Sequence, residues 1–318
     1  SRMKVKNPLD EIYTSPQFDD PFANGVSSIP LKLDVEPTND CTRNCLFCQR
    51  RVAKRPIGYM DFDLYCRLID EAASVGVPMV RFLRWGEPLM HDRIGEMIRY
   101  AKKAGLLTHL TTNGDLAGQH FDDLVELDSL IFSMQGSTRE EFMRMRGYDR
   151  RSLEEVIKEF MEYKGDGNLP HVRITSTMTV NDNREAIDAW EKEWSKIADS
   201  AGWGWTHLTR VSKETPDLMS LQIPGLVHYF GCKEIRVGIS VDWDFSLTPC
   251  CLDSDRMLTL GKYPEMSIMG AWHSEKLWHL REILSSAENK GQDWFRLCAD
   301  CVQNYDSIRG RGRAREDK

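Results

Sequence analysis

The sequence predicts an α/β protein: a parallel sheet curled toward a barrel, followed by a smaller cysteine-bearing domain. Three observations carry this reading. Stretches of strand character and stretches of helical apolar spacing take turns from about residue 31 to about residue 210. Three closely spaced cysteines, Cys41, Cys45 and Cys48, follow the first predicted strand directly. Beyond residue 211 the character changes: Pro216, Pro224 and nearby glycines interrupt the pattern, and further cysteines appear around a predicted hairpin.

Taken in order, residues 4–30 are polar and irregular, with Pro8, Pro16, Pro21 and Pro30 spread through them, and read as a lead-in arm wrapped on the body. Leu31, Leu33 and Val35 alternate with polar residues and set the first strand at 31–36. Further strands are expected at 79–83, 107–111, 129–132, 172–178 and 204–208. Helices are expected at 62–73, 91–104, 121–125, 139–145, 152–163 and 184–198. Six strand–helix units fall short of the eight of a closed barrel. A linker is read over 211–231, then a hairpin of 235–241 and 246–248 around Asp242-Trp243-Asp244. Trp272, Leu277, Leu280 and Leu284 give a helix over 271–285. The resulting division is an arm over 1–30, a barrel over 31–215, a second domain over 216–305 and a basic, disordered tail over 306–318.

The chain of 318 residues, 41% of them hydrophobic, is long enough for a real core. Its net charge of −7 argues against general nucleic-acid binding, which leaves a basic footprint. No apolar run reaches the length of a membrane span. Ser1-Arg2 ahead of Met3 reads as a cloning remnant rather than a signal peptide. Nine clustered cysteines without a secretion signal point to metal binding in a reducing cytoplasm rather than to disulfides.

The stretch Cys41-Thr-Arg-Asn-Cys45-Leu-Phe-Cys48 spaces three thiolates so that they can hold three irons of a cubane cluster and leave the fourth open to a small molecule. A zinc knuckle or three buried thiols are the plainer alternatives. With Phe47 just before the last cysteine, the stretch resembles the radical S-adenosylmethionine (radical SAM) superfamily. The resemblance implies a partial (βα)6 barrel, open on one side, and a [4Fe–4S] cluster that binds SAM. Gly86-Glu87-Pro88 resembles the turn that receives the amino group of SAM in that superfamily, although Trp85 stands where a first glycine is common. Ser133 and Arg146 stand where relatives bind the SAM carboxylate, for which a planar guanidinium is suited. Phe47 would lie against the adenine or line the cluster pocket, with plain packing as the plainer alternative. Thr111, Thr112 and Asn113 are either pocket floor or ordinary turn residues.

Cys232, Cys250, Cys298 and Cys301 form a second group, in the order single cysteine, hairpin, single cysteine, helix, CxxC. With Thr248-Pro249-Cys250-Cys251 and Ala271-Trp272 it resembles the Twitch form of the SPASM domain, which implies one auxiliary [4Fe–4S] cluster; four cysteines also suit structural zinc. The resemblance makes Cys250 the ligand and leaves Cys251 a spare thiol, while Cys66 reads as core. Gly-Glu-Pro-Leu at 86–89, an Arg-Gly after the fourth strand and the spacing of the last four cysteines also resemble the Twitch dehydrogenases. These oxidise a secondary alcohol of a sugar or aminocyclitol, with the auxiliary cluster as electron acceptor and a flavodoxin or ferredoxin as donor. His207 is then a candidate base, with Arg173, Arg210, Thr175, Arg84 and Asp253 as candidate polyol contacts. The competing readings are modification of a ribosomal peptide, redox-neutral epimerisation and a non-catalytic electron carrier. Only residues 1–30 precede the first strand, too few for the added recognition domain common in the peptide-modifying relatives.

Overall fold

A computed structural model describes residues 3–208, 211, 214–222, 232–284 and 298. Its centre is a nine-stranded sheet. Strands β1 (Lys32–Val35), β2 (Met79–Phe82), β3 (Leu107–Thr112), β4 (Ser129–Gln135), β5 (His171–Met178) and β6 (Ser200–Trp205) are parallel and lie in sequence order. On the other side of β1 the sheet continues through β7 (Gly238–Val241), parallel to β1, and then antiparallel through β8 (Ser246–Thr248) and β9 (Gly261–Lys262). The C-terminal region is therefore hydrogen-bonded onto the barrel sheet.

Two periods, one for the strands and one for the helices, explain the layers. Leu33, Val35, Val80, Phe82, Leu110, Leu130, Phe132, Val172 and Ile174 belong to one buried apolar cluster. Helix α3 (Phe62–Val75) turns Tyr65, Leu68, Ile69 and Ala72 into it, and α4 (Ile94–Lys103) turns in Ile94, Met97, Ile98 and Ala101. Asp61 caps α3 by accepting from Leu64 N, and Gly76 at φ 87° ends it. Since successive strand residues alternate in direction, the intervening residues line the opposite, inner face of the sheet. The strand register sorts them into layers. Ser240, Asp34, Arg81, His109, Ser129 and His171 share the lowest; Thr111, Ile131, Arg173 and Ser200 come next; Ser133 and Thr175, then Gln135 and Thr177, lie nearer the C-terminal ends of the strands.

The N-terminal arm contains two one-turn helices, Asp10–Tyr13 and Pro16–Asp19, where the sequence suggested irregular chain. Leu9 and Phe18 pack with Met79 and Val237, flanked by Leu31 and Leu107. All four of the latter stand at the N-terminal ends of strands, so the arm covers the lower mouth of the barrel.

The expected elements recur with local corrections. β6 begins four residues earlier than expected, because Asp199 fixes the start of pairing by accepting from Val172 N at 2.9 Å and from Val5 N at 3.1 Å. Residues 235–237 lie in the helical turn α9 (Glu234–Val237), so the hairpin starts at Gly238. The helix expected over 271–285 is two helices, Ile268–Trp272 and Glu275–Ile283, the second capped by the Ser274 hydroxyl. The helix expected over 91–104 starts at Ile94, and β4 runs three residues further than expected. No helix among the described residues is long and apolar enough to cross a membrane.

The lowest inner layer is charged and satisfied internally. Asp34, 1% exposed, accepts two bonds from Arg81 (2.6 and 2.8 Å) and one from Lys32 (2.6 Å). Burial alone would raise the Asp34 carboxyl, but Arg81 and Lys32 outweigh it and hold the group well below the usual carboxylate range. Asp34→Asn leaves two buried cations short of charge and should cost about 3–5 kcal/mol in urea unfolding at pH 7. A depressed carboxyl stabilises the fold above its unfolded value of about 4 and loses that contribution as pH falls. The cost of Asp34→Asn should therefore shrink steadily when unfolding is repeated at successively lower pH.

Candidate functional site

The cysteine loop begins where β1 ends and is clamped at its base. Thr38 pairs with Tyr59, the Thr38 hydroxyl donates to Gly58 O at 2.7 Å, and the Asn39 amide bonds both Pro56 O and Gly58 N at 2.9 Å. Leu46 N donates to Met145 O at 2.8 Å and pins the loop to helix α6 (Arg139–Arg146). Arg50 and Arg51 reach back to the carbonyls of Arg43 and Asn44 at 2.9 and 3.0 Å. Cys45 is buried, and Cys41 and Cys48 are half-buried. Without metal, burial pushes the Cys41 thiol up to about 11 and raises Cys48 as well.

Two donors meet Cys41 Sγ: Arg43 N at 3.5 Å and the Asn113 side-chain amide at 3.6 Å. Such N–H groups suit a thiolate that carries negative charge onto a metal. Among the described residues, no three His, Cys, Asp or Glu side chains converge on one ion position. Three thiols on one loop, with N–H donors at Cys41 Sγ, fit an iron–sulfur cluster held by Cys41, Cys45 and Cys48.

The turn after β2 sits directly on this loop. A Cβ on Gly86 would come within 2.0 Å of Thr38 O and 2.6 Å of Asp40 O, so only glycine permits the approach. Glu87 N donates to Asp40 O at 2.7 Å. The Glu87 carboxylate, 2% exposed, accepts from Thr112 Oγ1 (2.7 Å), Asn113 N (2.8 Å) and Leu89 N (3.3 Å). Burial raises it to about 7 despite those donors. The sequence suggested this carboxylate as an acceptor for a ligand ammonium; in the structure three protein donors engage it, and it ties the turn to the end of β3. Pro88 follows as a buried residue of a short 3-10 turn.

A second convergence lies across the barrel. Arg146, the last residue of α6, donates to Ser133 Oγ at 2.9 Å and Met134 O at 3.3 Å. Its guanidinium lies 5.4 Å from the Phe47 ring, and its buried Nε has no hydrogen-bond partner among the described residues. Phe47, Ser133 and Arg146, separate in sequence, therefore meet beside the cysteine loop.

The substrate candidates are more scattered. Arg173 and Thr175 lie on the inner face of β5, and the Arg173 guanidinium runs so close to Gly202 that a Cβ there would meet it at 2.0 Å. His207 is half-buried, two residues past β6. Arg210 lies outside the described residues. Two candidates are structural instead. Asp253 is fully buried and accepts from Met257 N and Leu258 N, closing its own turn. Arg84 is buried in an ion cluster with Asp242, and its backbone takes φ 100°, a conformation that costs a non-glycine residue about 1–3 kcal/mol.

In the second cysteine group, Cys232 and Cys298 are buried in the main core cluster and Cys250 packs against it. Leu252 N points to Cys250 Sγ at 3.4 Å, again a donor to sulfur. Cys301 lies outside the described residues. Cys251 is half-buried, and its thiol is pushed well up by desolvation and by Glu234 and Cys250. Cys66, expected in the core, is half-buried on α3 and packs against the main cluster. Sequence reasoning missed Glu36, Arg55 and Arg256, which join Arg84 and Asp242. The one available signal was an acidic residue at the end of each of two apolar strands, Glu36 and Asp242.

Comparison with known proteins agrees with this geometry. Residues 35–192 match the radical SAM superfamily, and residues 232–302 match the SPASM iron–sulfur cluster-binding domain. GTP 3',8-cyclase of Chlorobaculum tepidum is 32% identical over 49% of this chain and 47% of its own length. PqqA peptide cyclase of Ruegeria pomeroyi is 34% identical over 37% of this chain and 33% of its own. The chain thus spans less than half the length of these two relatives. The S-adenosyl-L-methionine-dependent 2-deoxy-scyllo-inosamine dehydrogenase of Niallia circulans is 24% identical over 85% of this chain and 91% of its own length. Among solved structures, BtrN in complex with AdoMet and 2-DOIA has a TM-score of 0.55 at 17% identity, covering 87% of this chain and 92% of its own. SuiB of Streptococcus suis bound to S-adenosylmethionine has a TM-score of 0.66 at 17% identity, covering 91% and 79%. These likenesses establish the shared fold, and the two domains imply a [4Fe–4S] cluster with SAM and an auxiliary iron–sulfur cluster. The chain belongs to the radical SAM superfamily and carries a SPASM domain at its C-terminal side.

Proposed function

We propose that this protein oxidises a secondary alcohol of a sugar or aminocyclitol to a ketone. The observation that carries the reading is the end-to-end likeness to 2-deoxy-scyllo-inosamine dehydrogenase, 85% of this chain against 91% of that one. The peptide cyclase, by contrast, is matched over a third of its length. The inner face supports the reading. Thr111, Ser133, Thr175 and Thr177 bring hydroxyl groups to its upper layers, and such groups both donate to and accept from a polyol.

In this reading Cys41, Cys45 and Cys48 hold the SAM cluster, and Cys232, Cys250, Cys298 and Cys301 hold the auxiliary one. When bound, these groups supply a radical that takes a hydrogen atom from the substrate C–H bond and an acceptor for the remaining electron. The chain's own residues bind and orient. The carbonyls of the Gly86 turn receive the ammonium of SAM, Arg146 and Ser133 its carboxylate, and Phe47 its adenine. His207 takes the hydroxyl proton, while Arg173 and Arg210 orient the polyol. A flavodoxin or ferredoxin supplies the reducing electron.

A second reading is peptide modification, favoured by the likeness to SuiB bound to its precursor peptide SuiA, with a TM-score of 0.63 against 0.55 for BtrN. Anaerobic turnover separates the two. With a panel of aminocyclitols and amino sugars, 5′-deoxyadenosine should form together with an equal amount of new carbonyl. Formation of 5′-deoxyadenosine with peptides alone would reject the dehydrogenase.

Two further outcomes are expected. The reconstituted chain should bind about eight irons, and Cys41→Ala/Cys45→Ala/Cys48→Ala about four. Gly86→Ala should keep its iron but lose SAM cleavage by about a hundredfold, because its Cβ displaces the turn from the Thr38 carbonyl; product formation by chromatography checks this.

A further inference from the structure

The ends of β1, β2 and β7 meet in a buried ionic cluster that none of the assignments above uses. Glu36 and Asp242, which follow β1 and β7, are both 0% exposed. Arg55 grips Glu36 with two bonds of 2.8 and 2.7 Å and reaches Asp242 at 3.2 Å. Arg256 binds Asp242 at 2.9 Å and Asp244 at 2.7 Å. Arg84 binds Asp242 Oδ1 at 2.8 Å. Its other terminal nitrogen donates to the carbonyl oxygen of Cys250 at 3.1 Å.

Arg84 is thus the member of the cluster that touches a cysteine of the second group. Its side chain is 0% exposed, so its charge is little screened by water. Its backbone opens the stretch Arg84-Trp85-Gly86-Glu87, whose last two residues press on the first cysteine loop. One short segment therefore contacts both cysteine groups. The left-handed φ of 100° at a non-glycine residue shows that tertiary contacts over-determine this conformation.

We propose that Arg84 is a positioning and potential-setting residue of the auxiliary centre. It fixes Cys250 against the turn that carries Gly86, and its buried positive charge raises the reduction potential of the cluster held there. A cation beside an anionic cluster favours the reduced form, and cluster potentials follow local charge and hydrogen bonding. The proposal rests on the reading that Cys250 ligates an auxiliary cluster.

The test uses the full chain carrying Cys41→Ala/Cys45→Ala/Cys48→Ala, so that iron and electron paramagnetic resonance report the auxiliary centre alone. Arg84→Met and Arg84→Lys are added to it, and the midpoint potential is measured by spectroscopic redox titration. The expected result is a lower potential in Arg84→Met, with Arg84→Lys nearer the parent because it keeps the charge. Loss of iron in Arg84→Met with retention in Arg84→Lys would support the positioning role. An unchanged potential in Arg84→Met, or loss of iron from both variants alike, would overturn the proposal alone. Absence of iron from the parent with Arg84 intact would overturn the auxiliary-cluster reading and this proposal with it.

Discussion

The structure depends on opposite charges buried where strands end. Glu36 and Asp242 close β1 and β7 and share three arginines drawn from the cysteine loop, the β2 turn and the β8–β9 connection. Desolvating so many charges offsets much of their Coulomb attraction, so such a cluster adds little net stability compared with an apolar core. Its consequence is geometric. Each guanidinium faces a fixed set of carboxylate oxygens, and none can move without leaving a buried charge short of a counter-charge. The loop that holds Cys41, the turn that holds Gly86 and the hairpin that leads to Cys250 are thereby held in one arrangement. Hydrogen bonding of β7 alongside β1 makes the same connection through the backbone.

The inner face of the sheet shows a gradient with a physical meaning. Its lowest layer carries Asp34 and Arg81, with Lys32 one step below; both cations pair with Asp34, and the N-terminal arm seals them below. His109 in that layer bonds Ser129 and Thr111, and burial lowers it to about 3, so it stays neutral near pH 7. On β3–β5 the higher layers carry, besides Arg173, hydroxyls and an amide: Thr111, Ser133, Thr175, Gln135 and Thr177. Charge holds the sheet together at the bottom and again where β1 and β7 end. Polar groups that can change partners are left at the end where the cysteine loop opens.

The sequence made some of this legible and hid the rest for identifiable reasons. The cysteine spacing and the Gly-Glu-Pro turn are local features, and the fold brings them together at Thr38, Asp40 and Asn113. Ser133 and Arg146 were picked out through the family resemblance, and the structure brings the two within 2.9 Å of each other. β6 was misplaced because Ser200, Ala201 and Gly202 carry no apolar alternation; their small size makes room for Arg173. The pairing of Arg55 and Arg84 with Asp242 spans well over a hundred residues, and no periodicity announces it. Glu87 was recognised as belonging to the site, but its partners could not be read, since they lie on β3 and just beyond it.

The role of Glu87 follows from those partners. A carboxylate that is 2% exposed and accepts from Thr112, Asn113 and Leu89 has little capacity left for a ligand. It does position groups that can meet one. By holding Asn113 N it orients the residue whose amide reaches Cys41 Sγ, and through its own N–H on Asp40 O it draws the β2 turn onto the cysteine loop. Three strand ends are thus joined at one residue, Glu87. A loop cysteine, a turn and a strand end that must keep a common spacing are better joined by one buried carboxylate than by separate exposed contacts, because in low dielectric each of its hydrogen bonds is costly to break.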